Sequence, residues 1–538
     1  MTRLNGAAAV RGFLLSATFL VFAAQAPLLA QAFPSPFMQT IAVEAAEDEA
    51  IAAFYRDNGY RTLWTGTGQQ DAGRRAALLS ALSRAGEHGL PVARYDAARL
   101  TALLGSALTE GDRARAEVAL TRAYLAYARD VKTGATDPKV VDPGIVREIA
   151  RPDPAVLLAQ MQTRNPAQVL QGLLPTAPRY AQLMRAKLAL ESRIAQGGWG
   201  PAVRAGALAP GDRGDAVVAL RDRLIAMGYL TRSATGSYDA TLQNAVQRFQ
   251  LDHGLTADGA ASADTIAALN IAPEERLKSV IVAMERVRWM HDTPLGDRHI
   301  WVNLPDFTSK IIENGKVVFE TRAVIGKDVM DQHTPEFSDQ MAHIVINPSW
   351  GVPRSIIVKE YLPLLQSNPN AVSHLQVIDN RGRVVPRGAV NFAGYSARTF
   401  PFGLRQPPSD GNALGLVKFM FPNKYNIYLH DTPAKNLFSH DVRAYSHGCI
   451  RLADPFDFAY ALLSLQSDDP QAEFARHLKT RNETTVKLEK KVPVHLVYFT
   501  AWPGAKGQMT YRRDVYGRDA KLFQALEAAG VALPSVQG

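Results

Sequence analysis

The hydrophobic period changes near residue 295 from that of a helix to that of a strand, and this change constrains the fold most strongly. Within 45–200, the stretch RARAEVALTRAYLAYARDVKTG places Val118 and Val131 on one apolar helical face, and Gly134 ends the pattern. Within 295–515, apolar and polar residues alternate, and Asn314-Gly315 is a strong hairpin signal. We therefore expect a multidomain α+β chain with a helical scaffold domain at 45–200 and a mainly-β domain at 295–515.

Length and charge set the limits on organisation and partners. At roughly 100 to 200 residues per domain, the 538 residues are enough for about three or four domains. The formal net charge of +9 favours anionic partners. No run of lysine and arginine is interleaved with aromatic residues, so we expect no nucleic acid partner.

Residues 1–32 have the composition of an export signal. Arg3 and Arg11 precede the apolar run GFLLSATFLVFAAQAPLLA, and AQA at 30–32 is a small-x-small cleavage site. Ser16, Gln25 and Pro27 interrupt the run, which favours a cleaved signal over a retained membrane anchor. We expect the mature chain to be exported to the periplasm, and the anchor stays open as an alternative.

Residues 210–272 are predicted to form a separate unit of three helices. The glycine-rich stretch GGWGPAVRAGALAPG precedes this unit and indicates a domain boundary. The segments GDRGDAVVALRDRLIAMGYL and YDATLQNAVQRFQLDHGL are amphipathic, and Asp239 is a plausible N-cap of the second helix. TADGAASADTIAALN supplies a turn and the third helix.

The strand pattern of the C-terminal half is interrupted once. Residues 353–414 contain a short helix and a stretch rich in proline, glycine and asparagine. An insertion of this length in a sheet domain is either a cap over a site or a surface excursion. Residues 516–538 are predicted to form a C-terminal helix and tail.

Cys449, within YSHGCIRL, is the single cysteine of the chain. Cysteines of exported proteins usually pair, and one cysteine cannot pair within its own chain. Its thiol is either a buried small hydrophobe or a group used in chemistry. In the second case it needs a base, because the thiolate is the reactive form.

His430, nineteen positions before Cys449, is the best candidate base. It follows the strand-like NIYL, so it would lie at a sheet rim and could face the turn that carries the cysteine. The resulting pair would be a thiolate and an imidazolium. Asp431 could orient the imidazole through its backbone carbonyl or its carboxylate, and the sequence does not choose between them.

The turn around Cys449 contains further candidates. The N–H groups of His447, Gly448 and Cys449 could bind an oxyanion if the turn is tight. Four substrate-binding candidates each have a plainer alternative, namely a surface salt bridge, a brace within the turn, or core packing. These four are Arg451, Ser446, Tyr428 and Trp350.

A zinc site is an alternative use of the same histidines and aspartates. His430, His440, His447 and Cys449 could contribute to such a set, but the spacings CxxC and HExxH are absent. We therefore expect neither a metal nor another cofactor.

Two parts of the chain resemble known families. GDRGDAVVALRDRL and YDATLQNAVQRFQ are similar to the peptidoglycan-binding domain of cell-wall enzymes. His430, a gap of fifteen residues and then Ser446-His447-Gly448-Cys449 resemble the signature of YkuD-family L,D-transpeptidases. That family often has asparagine two places after the cysteine, where this chain has Arg451. The domain order resembles the large Gram-negative YcbB-type members.

The resemblance implies a reaction. Cys449 would attack a tetrapeptide stem at meso-diaminopimelate, release D-alanine and form a thioester, which a second stem would resolve as a 3→3 cross-link. It also implies acylation by carbapenems, stem peptides and glycan as ligands, and cell-wall synthesis proteins as candidate partners. Two alternatives stay open: an L,D-carboxypeptidase, endopeptidase or lipoprotein-linkage hydrolase on the same fold, or a non-catalytic wall-binding scaffold.

Overall fold

The structure of the protein is a computed structural model that describes residues 34–233, 235–505 and 507–534. Residues 1–32, the expected export signal, lie outside these ranges. The predicted fold class is confirmed, because helices fill the N-terminal part and a large sheet dominates the C-terminal part. Over the described ranges, we find no helix with the length and apolar character needed to cross a membrane.

The N-terminal region is entirely helical. Its longest helix begins at the capping box of Thr109 and Asp112 and ends at Gly134, whose φ of 94° a side chain would disfavour. Its helices are α1 Pro36–Glu44, α2 Glu49–Asp57, α3 Gln69–Ser83, α4 Val92–Tyr95, α5 Ala97–Gly105, α6 Glu110–Thr133, α7 Pro138–Val141, α8 Pro154–Thr163, α9 Pro166–Gly172 and α10 Pro178–Ala195.

Three helices form the next unit, as the sequence predicts. They are α11 Asp215–Ala226, α12 Ala240–Asp252 and α13 Ala263–Leu269. The predicted N-cap is confirmed, because the Asp239 carboxylate accepts a hydrogen bond of 2.9 Å from the Leu242 N–H. Val217, Leu224 and Phe249 share a buried core between the helices.

A long buried helix, α14 Pro273–Trp289, connects this unit to the sheet. It packs against α10, and three of its charged side chains, Glu285, Arg286 and Arg288, are buried in ion pairs. The guanidinium of Arg288 donates to Glu285 Oε2 at 2.7 Å, and neither side chain is exposed. Arg286 similarly donates to Glu336 at 2.6 Å, and Glu336 is the residue just before a strand of the neighbouring sheet. The helix therefore joins the domains through buried ion pairs as well as apolar packing.

The C-terminal sheet has nine strands. They are β1 Arg298–Asn303, β2 Thr308–Glu313, β3 Lys316–Gly326, β4 Phe337–Ile346, β9 Val417–Met420, β10 Leu429–His430, β11 Ala444–Ser446, β12 Ile450–Leu452 and β13 Thr484–Val497. Their order in the sheet is β11-β3-β12-β10-β9-β4-β13-β1-β2. An additional pairing between β2 and β3 closes the sheet on itself, and the turn between them is the predicted Asn314-Gly315 hairpin, with φ of 49° and 76°.

The inserted segment has a small sheet and a core of its own. Strands β5 Trp350–Gly351, β6 Gln376–Ile378, β7 Val384–Val385 and β8 Gly403–Gln406 pair in the order β5-β8-β6-β7. Helices α15 Arg354–Ile356 and α16 Leu362–Ser367 flank the π-helical turn Ile357–Tyr361. We call residues 353–414 the cap.

Three further helices and a hairpin complete the C-terminal part. The sequence analysis did not predict α17 Pro455–Leu463 and α18 Pro470–Lys479, whereas α19 Arg518–Ala528 lies where a C-terminal helix was expected. Helix α17 packs its apolar face on the sheet through Phe458 and Leu462. The hairpin consists of β14 Ala501–Pro503 and β15 Met509–Tyr511.

The buried pair on α14 yields a test of this architecture. In Arg288→Met the carboxylate of Glu285 loses its buried cation, which should lower the free energy of unfolding by about 3–5 kcal/mol. In the matched variant Lys278→Met, on the same helix, a partly exposed pair with Glu275 is lost, and the change should stay within about 0.5 kcal/mol. Urea unfolding followed by circular dichroism measures both, and equal midpoints would contradict the buried network.

Candidate active site

The candidate site is organised by the parallel pairing of β10 with β12. Leu429 lies opposite Ile450, and His430 lies opposite Arg451. Leu429 and Ile450 are completely buried in the core of the sheet. Because side chains alternate along a strand, His430 and Arg451 share the other face. This register places a base and a cation next to each other.

Cys449 and Tyr428 precede these strands by one residue and extend the same face. The Ile450 N–H donates to the Tyr428 carbonyl at 3.1 Å, which continues the pairing toward the thiol. Cys449 is half-buried, and its Sγ–H donates to the Asn426 carbonyl at 3.5 Å. Burial raises the pKa of the Cys449 thiol to about 11, although the N–H and hydroxyl of Tyr428 and the charge of Arg451 act to lower it.

His430 is buried, with 4% of its surface exposed. Its Nδ1–H donates to the backbone carbonyl of Asp431. A carbonyl accepts only, so the proton is on Nδ1 and the lone pair is on Nε2. Burial lowers the pKa of His430 to about 3, with the charge of Arg451 acting in the same direction and the carbonyls of Asp431 and Leu414 opposing it.

The carboxylate of Asp431 has other partners. It accepts from the Leu416 N–H at 2.9 Å, the Thr432 N–H at 2.7 Å and the Lys435 ammonium at 2.8 Å. Gly415 leaves space for it, since a Cβ there would lie 2.2 Å from Asp431 Oδ2. Of the two routes that the sequence left open, the structure therefore has the carbonyl of Asp431 orienting His430.

The resting pair differs from the expected thiolate and imidazolium. Both pKa shifts favour the neutral forms, because burial costs each charged form its hydration. The hydrogen bond of the thiol goes to Asn426, and His430 is a diagonal neighbour on the same face. The pKa shifts therefore favour a neutral thiol and a neutral imidazole before substrate binds.

The turn before Cys449 is braced from within. Gly448 has a φ of 110°, and its N–H donates to Ser446 Oγ at 3.1 Å. The Ser446 hydroxyl in turn donates to the Cys449 carbonyl, and Thr334 Oγ1 donates to the Gly448 carbonyl at 2.7 Å. Ser446 is buried and its hydroxyl is used within the turn, which favours the brace over the substrate contact, the two roles that the sequence left open.

His447 connects the turn to the cap. Its Nε2 lies 2.6 Å from Glu360 Oε1, on the π-helical turn of the cap. The adjacent Lys359 pairs with Asp331, in the loop after β3. Neither contact was predicted from the sequence, because each joins segments that are distant along the chain. Their joint effect is to hold the cap on the side of the sheet that carries the thiol.

The remaining predicted residues surround the thiol. Trp350, at the base of the cap, has its ring centroid 6.4 Å from that of Tyr361. Burial raises the pKa of Tyr428, and the Trp350 side chain acts to lower it. Arg451 is in no ion pair among the residues described, and its Nε atom is buried without a hydrogen-bond partner. Such a guanidinium can donate hydrogen bonds to a ligand carboxylate without breaking an existing ion pair.

A metal site was an alternative for these histidines. Within 34–233, 235–505 and 507–534 no three or more His, Cys, Asp or Glu side chains group in a way that could hold a metal ion. His440 lies at the exposed start of the segment that leads to β11, where its ring contacts Tyr445 at 5.5 Å.

Comparison with known domains agrees with this geometry. The family model described as "L,D-transpeptidase catalytic domain" matches residues 297–482. Residues 297–482 are therefore similar to the catalytic domain of YkuD-family L,D-transpeptidases. The model described as "Putative peptidoglycan binding domain" matches residues 213–269, and the one described as "Scaffold domain" matches 49–186.

Individual relatives cover parts of the chain. A Haemophilus influenzae protein named "Putative L,D-transpeptidase" is 30% identical over 225 residues, which are 41% of this chain and 45% of that relative. A solved L,D-transpeptidase of Xylanimonas cellulosilytica is 17% identical, with a TM-score of 0.17, over 55% of this chain and 99% of its own. One of Stackebrandtia nassauensis is 16% identical, with a TM-score of 0.20, over 55% and 96%.

The pKa shifts of this pair predict how the Cys449 thiol reacts. A pKa raised to about 11 means that Cys449 keeps its proton far above neutral pH. Alkylation of the free protein by iodoacetamide should therefore rise about tenfold per pH unit from pH 7 to 10, without a plateau. Intact mass measures the rate, with glutathione as the reference thiol. A plateau near pH 6–7 would instead indicate a resting thiolate and imidazolium.

Proposed function

We propose that the protein is a peptidoglycan L,D-transpeptidase that forms 3→3 cross-links through a thioester on Cys449. The observation that carries this proposal is the β10–β12 register, which puts on one face a thiol, an imidazole bonded through Nδ1 and a guanidinium that has no ion-pair partner among the described residues. The turn next to that face contacts the cap through His447 and Glu360. The face lies within residues 297–482, which match the family model of the L,D-transpeptidase catalytic domain.

In the first step, Cys449 turns toward His430 as the donor stem binds. Nε2 takes the thiol proton while sulfur attacks the carbonyl of meso-diaminopimelate that is bonded to D-alanine. The C–N bond then breaks, the departing amine of D-alanine takes the proton from Nε2, and a thioester remains. The pair is thus charged only while substrate is present, which agrees with its neutral resting state.

The oxyanion of this step needs N–H donors near the sulfur. The Gly448 N–H already donates to Ser446, so we assign the oxyanion to the N–H groups of His447 and Cys449. Arg451 would bind a carboxylate of the donor stem, because its buried Nε atom has no hydrogen-bond partner in the part of the chain that the structure describes.

In the second step, the side-chain amine of a second diaminopimelate attacks the thioester. His430 takes the amine proton and returns it to the departing sulfur, which completes the cross-link and restores the thiol. Water competes with the amine, and the cap, attached through Glu360 and Lys359, would limit its access. Transfer rather than hydrolysis is therefore the outcome that this arrangement favours.

The other domains fit action on the cell wall. The match at 213–269 supports binding to peptidoglycan strands, and such an enzyme acts outside the cytoplasm. We propose a periplasmic location reached through the signal at 1–32, cleaved or retained as an anchor. Carbapenems should acylate Cys449, cell-wall synthesis proteins are candidate partners, and the domain order fits a YcbB-like enzyme.

A tetrapeptide-bearing disaccharide tests the proposal directly. Intact mass of the protein should increase by the fragment minus D-alanine, and the products should include a cross-linked dimer. Cys449→Ala should remove both signals, and His430→Gln should slow acylation by about 100-fold or more, the usual contribution of a general base. His440→Gln, an exposed histidine of the same segment, is the matched control and should react normally.

The products separate the alternatives. Tripeptide without dimer would assign a carboxypeptidase in place of a transferase. Retained binding to isolated cell wall with no acylation of the wild-type chain would leave only a wall-binding scaffold. Dimer formation by the Cys449→Ala variant would contradict the proposed nucleophile.

A further inference from the structure

A second cleft lies where the scaffold, the 213–269 domain and the catalytic part meet. It is bounded by α10, by the end of α11 and the loop after it, and by the β14–β15 hairpin, and its volume is about 620 Å³. Ligand pockets of proteins are usually about 300–1,000 Å³. We call it the junction cleft.

In the described part of the chain, the charged residues that line the junction cleft are all arginines. Arg185 and Arg193 enter it from α10, and Arg276 enters it from α14. No aspartate or glutamate lines it in the described part of the chain, and none of these three arginines is in an ion pair there. The uncompensated charge favours an anionic ligand.

Arg276 is the deepest of the three. It is 7% exposed, and its Nη2 donates to the Ala268 carbonyl at 3.1 Å. Its guanidinium carbon lies 4.7 Å from the centre of the Tyr511 ring. These contacts hold the guanidinium in place at the wall of the cleft, whereas Arg185 is exposed and Arg193 half-buried.

Aromatic and apolar side chains supply the other surface. Trp199 is half-buried on the glycine-rich boundary loop and lines the cleft together with Tyr229, Met227 and Tyr511. Its loop is held in an unusual conformation by Gly198 and Gly200, whose φ values are 74° and 75°. Aromatic faces next to arginines suit a ligand with both apolar and carboxylate groups.

The junction cleft is separate from the thiol site. The hairpin that lines it follows β13, which is three strands away from β10 in the sheet. At about 4.8 Å per strand, this is about 14 Å along the sheet. Its lining includes none of the residues assigned above to catalysis or to binding the donor.

We propose that the junction cleft binds the acidic stem peptide of a peptidoglycan strand, with stem carboxylates on Arg185, Arg193 and Arg276 and the less polar part against Trp199. This inference rests on the proposed function for its ligand class. Three domains together would then bind the cell wall. A bound peptidoglycan strand would thereby be fixed in position relative to the catalytic sheet.

Hydrogen–deuterium exchange with mass spectrometry reports the two sites independently. The full chain carrying Cys449→Ala is incubated with disaccharide–tetrapeptide, or with the same disaccharide without peptide. The tetrapeptide form should protect segments 185–199 and 225–229 as well as 426–451. The peptide-free form should not protect the first two segments.

The double variant Arg185→Gln/Arg193→Gln removes two of the three cations. The concentration that gives half-protection of 185–199 should rise about tenfold or more, since hydrogen bonds to charged groups are among the strong ones, while protection of 426–451 remains. Arg99→Gln/Arg164→Gln removes two exposed arginines that do not line the junction cleft, and it should leave the half-protection concentration unchanged. Thermal unfolding checks that each variant is folded.

Three outcomes would overturn the inference: no protection of 185–199 in the chain with its arginines intact, unchanged half-protection in the arginine variant, or equal protection by the peptide-free disaccharide. Failure of the proposed function has a different signature. In that case the wild-type chain forms no thioester, while protection of the junction cleft and its dependence on the arginines persist.

Discussion

The parallel pairing of two short strands, β10 and β12, determines the candidate site. Only two residue pairs define the register, yet Leu429 and Ile450 anchor it in the core of a sheet that closes on itself. A shift of one residue would turn His430 into the core and bring apolar side chains to the face where Cys449 lies. The chemistry of the site therefore depends on how firmly the apolar side of the sheet is packed.

That packing has a chemical consequence. The same burial that fixes His430 and Cys449 removes water from both, and it holds each in its neutral form. A nucleophile of this kind is inert toward solutes that reach it without being bound. The cap contacts through Glu360 and Lys359 act in the same direction, since they restrict access to this face. In the proposed reaction, the bound stem peptide supplies the carbonyl group that the sulfur attacks. This attack makes the transfer of the thiol proton to His430 favourable.

Local signals in the sequence predicted much of this structure. The helical periods, the Asp239 cap and the Asn314-Gly315 turn depend on neighbouring residues, and each was found where the pattern indicated. The positions of His430 and Cys449 indicated that the two side chains could face each other, because His430 ends a short strand and Cys449 follows a turn. Contacts between distant segments were not predictable in this way, and Glu360 beside His447 is one example.

Burial bears on two expectations about the site. The sequence left Ser446 either a substrate contact or a brace of the turn, and its burial and hydrogen bonds within the turn favour the brace. The thiolate and imidazolium were expected from proton transfer between Cys449 and His430, whereas burial shifts both pKa values toward the neutral forms. Helix α17 was missed because its apolar residues follow directly on a strand pattern. For Ser446 and for the thiol and imidazole, the deciding quantity was burial in the tertiary structure.

The central claim is that His430 is a neutral base whose Nδ1–H is held by the Asp431 carbonyl, so that Nε2 is available to the thiol. The ring ¹⁵N chemical shifts of histidine-labelled protein test it most directly, with His430→Gln to assign the signal. We predict one protonated and one unprotonated ring nitrogen for His430 throughout pH 5 to 8. A doubly protonated His430 ring at neutral pH would contradict this account.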